Sequence, residues 1–359
     1  MNGESQTAGI QIMAPTRKTR VLQVGCGGIT SQWFPNALKN DDMEYVGLCD
    51  LSTDTAAKRC NEFGLASDTP IFSDVATALR ETNPDCVFDC TIPAAHTPTA
   101  LLAFEHGAHV LSEKPMSDTL ENARRSLDAS IANGRAYAIT QNYRYARGPR
   151  RLKAFLESKA LGAITTINAD MFLGAHFGGF RDEMKHVLLL DMAIHTFDMA
   201  RYLGGVDPTS VFCHEYNPKG SWYAHDASAS AIFEMSDGVV FNFRGSWCAT
   251  GLGTGFGSHW RIVGERGTLL WDSQQGYKCE VEDGDTGFFR PVKSLEVPDG
   301  EFGFKEAGHA GIIREFLDAV QGKGGTPETS AVDNIKSLSM VLGAVQSSNT
   351  KSLVRLDAR

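Results

Sequence analysis

The sequence predicts an α/β domain with a doubly wound parallel sheet, followed by an α+β domain whose sheet is open and largely antiparallel. Three observations carry this prediction. From Thr19 to about Tyr143 short apolar runs alternate with amphipathic segments; after Arg144 the rhythm changes to closely spaced strand-like segments joined by turns; and 359 residues suffice for two cores of ordinary size. The expected division is a disordered tail at residues 1–18, a first domain at 19–143 and a second at 144–359, whose last helices can pack back on the first.

The tail is polar and rich in Gly, Ser and Thr, with no apolar stretch behind positive charge, so it does not read as a secretory leader. TRVLQVG, MEYVGLCD, DCVFDCTI, AHVLSEK and AYAITQNY then read as strands. Their cores are almost continuously apolar, as expected where helices cover both faces of a sheet, and the segments between them are the crossovers of βαβ units. Beyond Arg144 a helical stretch from Gly148 to Lys159 precedes the strand ITTINADMFLG and a helix around Asp191 to Leu203. SASAIFEM, GVVFNFRGSW, WRIVGE and GTLLWD alternate in polarity across Asp-Gly and Glu-Arg-Gly turns, which is a hairpin pattern. IIREFLDAVQGK and the stretch from Thr329 to about Ser347 read as closing helices.

Composition narrows the function. With 42% hydrophobic and 21% charged residues the chain is that of a globular protein, and its apolar runs are too short for a membrane span. A net charge of -9, with Lys and Arg dispersed among acids, argues against nucleic acid as a partner. The eight cysteines, among them Cys26, Cys49, Cys86 and Cys90, form no CxxC pair and lie mostly in apolar runs. Buried free thiols of this kind suit a reducing compartment, the cytoplasm.

The strand VLQVG opens into Gly25-Cys26-Gly27 and a following helix. Gly25 permits a tight turn, Gly27 lets the backbone approach a diphosphate, Gly28 adds backbone freedom nearby, and the start of the following helix offers unpaired N–H groups, which together make a dinucleotide fingerprint of the Rossmann type. Thr30 departs from the Gly or Ala of its third position. The next strand ends in Asp50, where a carboxylate can bind both adenosine ribose hydroxyls and repel a 2′-phosphate; no arginine follows directly, so NAD is favoured over NADP. A further strand ends in Thr91-Ile92-Pro93, with His96 either touching ligand or capping a helix that starts near Thr97.

Glu113-Lys114-Pro115 follows directly on the next strand, at the same sheet edge. A lysine there either works on a substrate, stabilising an alkoxide as hydride leaves its carbon, or belongs to an ordinary surface tripeptide. The helix beginning near Leu190 carries Asp191, His195 and Asp198 at spacings that line up on one face. His195 can take the hydroxyl proton, while Asp191 orients Lys114 or a second substrate hydroxyl. A metal shared by Asp and His, lacking a third ligand of recognised spacing, and a core histidine paired with Asp198 are the competing readings.

In VGCGGI, CTIPAAH, SEKPMS, LLLDMAIHTFDMARYLGG, WRIVGERGTL and TPETSAVDNIKSLSMVLGAVQSS the chain resembles the Gfo/Idh/MocA oxidoreductases over nearly its whole length after the tail. The resemblance implies a Rossmann domain with bound NAD, a C-terminal open sheet serving homodimers or homotetramers, and Lys114, Asp191 and His195 as the catalytic set, with no metal. It also implies that Asn142 and Arg144 return to the cofactor cleft, with Tyr143 departing from the commonest form. Gly25, Gly27, Gly28, Ile29, Asp50, Thr91, Pro93, His96, Glu113, Lys114, Asn142 and Arg144 are thus the expected cofactor contacts. The substrate implied is a carbohydrate, a sugar or polyol, and FRDEMKHVLLLDMAIHTFD looks like an aldose or pentose dehydrogenase acting on a sugar such as D-apiose to give its lactone. His176, Arg181, His186, Arg244 and Trp247 are candidates to face it. The alternatives are an NAD-dependent glycoside hydrolase or inositol dehydrogenase of the same family, and a non-enzymatic dinucleotide sensor.

Overall fold

The computed structural model describes residues 17–273, 275–300 and 307–357; the expected disordered tail lies, as far as residue 16, outside them. The first domain alternates strand and helix in chain order. It runs β1 (Thr19–Val24), α1 (Thr30–Ala37), β2 (Met43–Cys49), α2 (Thr53–Glu62), β3 (Ile71–Phe72), α3 (Val75–Thr82), β4 (Cys86–Asp89), α4 (Pro93–Glu105), β5 (His109–Ser112), α5 (Leu120–Ala132) and β6 (Tyr137–Ile139). The six strands form one parallel sheet in the order β3-β2-β1-β4-β5-β6. All four residues of β4 are buried, because helices cover both faces. The order reverses beside β1, so the crevice at the carboxyl ends of β1 and β4 is where a ligand fits such a sheet.

A 3-10 turn at Asn142–Tyr145 leads into the second domain, so the expected boundary between 143 and 144 falls inside that turn. There follow α6 (Arg147–Glu157), β7 (Ile164–Phe172), a π-helical turn at Leu188–Ala193 that runs into α7 (Ile194–Gly204), and β8 (Pro208–Tyr216). Next come β9 (Ser228–Met235), β10 (Val240–Ser246), β11 (His259–Gly264), β12 (Gly267–Asp272), β13 (Gly276–Glu282), β14 (Val292–Ser294), α8 (His309–Val320), α9 (Ala331–Thr350) and β15 (Val354–Arg355). The nine strands pair in the order β14-β13-β12-β11-β7-β10-β9-β8-β15. Every pairing is antiparallel except that of β7 with β10, so the sheet is mixed and mostly antiparallel.

Burial alternates along β8 and β9, which leaves one face of this sheet open and the other covered. Phe197 of α7 packs edge-on against Phe233, Phe241 and Phe243 of the covered face. The chain then returns to the first domain. Ile312, Ile313, Phe316 and Leu317 of α8 share a core with Val21, Trp33 and Phe88, while α9 gives Ile335 and Leu338 to the first domain and Met340 and Ala344 to the second.

Candidate active site

The cofactor end begins where β1 stops. Gly25 turns with φ 79, and a Cβ on it would lie 2.6 Å from the backbone carbon and oxygen of Cys90, so only glycine fits between β1 and β4. Above Gly27 and Gly28 there is nothing within 4 Å of where a Cβ would stand. Behind them α1 starts with no side-chain cap and no acid in its first turn; the N–H groups of Thr30, Ser31 and Gln32 fold back on the carbonyls of Gly27, Gly28 and Ile29 at 3.2, 3.2 and 2.9 Å, and the positive dipole end of the helix is left without a countercharge of its own. Ile29 stands beside this opening, 39% exposed. Thr30 is accommodated by its hydroxyl, which donates to the Gly27 carbonyl at 2.6 Å.

Asp50 accepts from the N–H groups of Cys26 at 2.8 Å and Ser52 at 2.9 Å, so the acid that ends the β2 edge also braces the glycine turn. Arg59 of α2 reaches the same turn, donating at 3.2 Å to the carbonyls of Cys26 and Gly27 while it pairs with Glu62 at 2.7 Å. Open glycines, an uncapped helix start and an acid at the neighbouring strand end fit NAD.

The strand ends β4 to β6 revise several expectations. Thr91 donates to Asp89 through its N–H at 3.0 Å and its hydroxyl at 2.6 Å, and Pro93 is the first residue of α4. His96 therefore lies inside the helix and caps nothing. The residue is 0% exposed, with Nδ1 2.8 Å from the Pro115 carbonyl and Nε2 3.0 Å from that of Thr91, so it sits beneath the cleft between two of its loops. Glu113 is likewise buried under the cleft, where it accepts from the Trp33 indole at 2.7 Å and the Lys114 N–H at 3.0 Å and lies 3.7 Å from His309. Burial opposes its ionisation, but His309, Lys114 and Trp33 outweigh that and hold it below the usual range.

Asn142 is half-buried in the 3-10 turn. The Arg144 guanidinium, expected at the cofactor, is buried; it donates to both oxygens of Asp198 at 2.7 and 2.6 Å and pairs with Asp333 at 2.7 Å.

Lys114 and Asp191 meet across the two domains. The lysine Nζ donates to the Asp191 carbonyl at 2.7 Å and lies 3.4 Å from its Oδ1, while Arg181 donates to Oδ2 at 2.6 Å. Burial raises the Asp191 carboxyl, yet the two cations prevail and keep it ionised below its ordinary range. His195 is 6% exposed and stacks on Tyr143 with ring centroids 4.4 Å apart. Burial first, then the Lys114 and His309 charges, push this imidazole well below 6.5, so it is neutral at pH 7. Its Nδ1 is buried and has no hydrogen-bond partner among the described residues.

The shared helix face expected for Asp191, His195 and Asp198 does not form. The π-helical turn at Leu188–Ala193 adds a residue to the winding ahead of α7, so Asp191 faces Lys114 while Asp198 faces Arg144 and the Ser337 hydroxyl. The imidazole stands near cations, not between carboxylates.

Of the residues expected to face a carbohydrate, three gather at this end of the second sheet. His176 stacks on Trp222 at 3.6 Å, Arg181 lies over the rings of Phe180 and Phe177 at 4.7 and 5.3 Å, and Trp247 packs 4.9 Å from Phe177. The other two are elsewhere. His186 pairs with buried Glu215 at 2.7 Å, which raises its pKa, and Arg244 binds Asp170 on the open face of the sheet. His309, Trp33 and the Tyr143 stack were not singled out from the sequence; an isolated His at the first position of a helix carries no mark of the cleft it reaches.

Residues 19–141 match the model of an oxidoreductase family with an NAD-binding Rossmann fold, and residues 150–270 match that of the GFO/IDH/MocA C-terminal domain. A 1,5-anhydro-D-fructose reductase of Ensifer adhaerens is 23% identical over 341 residues, 93% of this chain and 97% of the relative. A D-apiose dehydrogenase of Paraburkholderia graminis is 24% identical over 353 residues, 94% of this chain and 90% of the relative. An oxidoreductase from Agrobacterium radiobacter, crystallised with NAD+, L-tartaric acid and magnesium, has the same fold with a TM-score of 0.81 at 19% identity, covering 94% of this chain and 98% of that one.

Proposed function

The chain belongs to the GFO/IDH/MocA family of NAD-dependent oxidoreductases, and from that premise we propose that it oxidises a hydroxyl-bearing carbon of a sugar or polyol with Lys114, Asp191 and His195. The observation that carries the reading is the meeting of Lys114 with Asp191 beside a neutral, buried imidazole. NAD, when bound, supplies the acceptor for the hydride. The chain does the rest. Lys114, held by the Asp191 carbonyl and carboxylate, offers its ammonium to the reacting oxygen as negative charge develops there. His195, kept neutral by burial and neighbouring charge, is the base that takes the hydroxyl proton in this reading. Arg181 fixes the far oxygen of Asp191, so the carboxylate cannot swing away from the lysine.

Within that class D-apiose, oxidised to its lactone, is the free sugar that the resemblance and the similarity to a D-apiose dehydrogenase support. The test is a panel of aldoses, inositols and glycosides assayed for NADH. Net NADH from any of them supports the dehydrogenase, whereas cleavage of a glycoside without net NADH replaces it by the hydrolase. Eight free thiols support a reducing compartment, the cytoplasm, and no helix among the described residues is long and apolar enough to cross a membrane. The open face of the second sheet carries Phe212 and Ile232, 43% and 53% exposed, and supports a homo-oligomer built on it. Ile232→Asp is expected to shift the sedimentation coefficient toward the monomer.

A further inference from the structure

His195 and Tyr143 form one wall of a cavity of about 340 Å³ that the chemistry above leaves unused. Its other walls are Met199 of α7, Phe256 in the loop before β11, and the indoles of Trp260 and Trp271, whose rings lie 6.3 Å apart and nearly parallel. Its polar groups are few and mostly taken. The Trp260 N–H donates to the Gly257 carbonyl at 2.8 Å, the Thr196 hydroxyl is 3.3 Å from that of Ser258, and the Ser273 hydroxyl is 3.5 Å from the Thr254 carbonyl. The Tyr143 hydroxyl and the His195 ring remain.

A bare sugar ring placed here would bury several hydroxyls without partners, each costing about 1–3 kcal/mol. An aromatic group would bury only apolar surface between aromatic faces, and a dry cavity of about 150 Å³ already holds a benzene ring. We propose that this cavity is the aglycone subsite of the active site, and that the substrate is a glycoside whose aryl group fills it while the sugar presents a ring hydroxyl to Lys114 and His195. The inference rests on the dehydrogenase reading and puts a glycoside in place of the free sugar as the substrate. A glycoside has its anomeric oxygen blocked, so the product is a keto-glycoside and not a lactone; NAD is the two-electron acceptor and the hydroxyl proton leaves through His195.

The experiment compares methyl and nitrophenyl glycosides of the panel sugars, with NAD saturating, by NADH formation and by quenching of tryptophan emission. The nitrophenyl forms are expected to show kcat/KM about tenfold or more above the methyl forms, the scale of burying one ring in place of a methyl group. They are also expected to quench with NAD bound. Phe256→Ala, at a position 48% exposed whose loss does not threaten the fold, is expected to lower the nitrophenyl-to-methyl ratio several-fold. Equal kcat/KM for the two forms overturns the inference and leaves the dehydrogenase standing. So does quenching that disappears when NAD is added, because the nicotinamide then occupies the cavity. Quenching that persists without NADH from any sugar removes the dehydrogenase and with it the substrate, leaving a cavity that binds aryl groups only.

Discussion

In the proposed oxidation Lys114 and His195 divide the chemistry between a charge and a base, and each role can be tested alone. Lys114→Ala is expected to slow single-turnover oxidation by roughly a hundredfold to a thousandfold, about 3 to 4 kcal/mol of transition-state stabilisation, because one preorganised donor is lost. NAD titrations should be nearly unchanged, since the ammonium is engaged by Asp191. Equal single-turnover rates in the two proteins would reduce Lys114 to a salt-bridge partner of Asp191. For His195 the sign follows from its surroundings: burial and the charges of Lys114 and His309 disfavour the protonated ring, so its folded pKa lies well below 6.5. The base is therefore already free at neutral pH, and kcat is expected to stay level through neutrality and to fall only on the acid side of 6.5. His195→Asn should lose most activity and with it that acid limb; a wild-type profile centred near neutrality would contradict the environment described. The sequence marked both residues by type and place, but it suggested carboxylates around the imidazole. Side-chain direction decides that question, and direction depends on winding that a spacing rule assumes to be regular.

Such winding belongs to the element. Counting by α-helical turns put Asp191, His195 and Asp198 in one row, and nothing in LLLDMA announces the π-helical turn that rotates Asp191 toward Lys114. The parallel strands were legible because helices on both faces leave them almost wholly apolar, and the hairpin β11–β12 was legible through its Glu-Arg-Gly turn. The parallel pairing of β7 with β10 was not, since no local signal links strands so far apart in the chain. His96 shows the same limit: its place after a strand end suggested a ligand or a cap, whereas α4 begins earlier and buries it. At the glycine turn, local and tertiary signals agree. Gly25→Ala combines positive φ with a 2.6 Å approach to the Cys90 backbone, so β1 and β4 must part at their ends. NAD affinity is expected to fall at least about tenfold, with stability lowered by 1–3 kcal/mol or more, read by isothermal titration and urea denaturation. Wild-type affinity in Gly25→Ala would mean that the turn is not where the diphosphate is held.

At the scale of the molecule, the site exists only where the domains meet, because Lys114 comes from the first and Asp191 from the second. Two features hold that junction. The rod α9 contributes to the cores of both domains, and beside it Arg144, from the turn between them, is clamped by Asp198 of α7 and Asp333 of α9, while Arg201 also binds Asp333 at 2.8 Å. Arg144 is 5% exposed and Asp198 1%, so this ion pair is screened little by solvent. Desolvation works against the Arg144 charge, but the two carboxylates outweigh it and raise its pKa. Removing one partner leaves a buried guanidinium underpaired. Asp198→Ala is therefore expected to cost about 3 kcal/mol, the low end for breaking a buried pair, because Asp333 still faces Arg144. A surface pair would cost well under 1 kcal/mol, so urea denaturation separates the two cases. Loosening the junction should also change the distance between Lys114 and Asp191 without removing either group. kcat is accordingly expected to fall in Asp198→Ala while NAD, whose Rossmann domain is the first, still binds. If stability drops and kcat does not, the ion cluster secures the fold but does not set the alignment of Lys114 and Asp191.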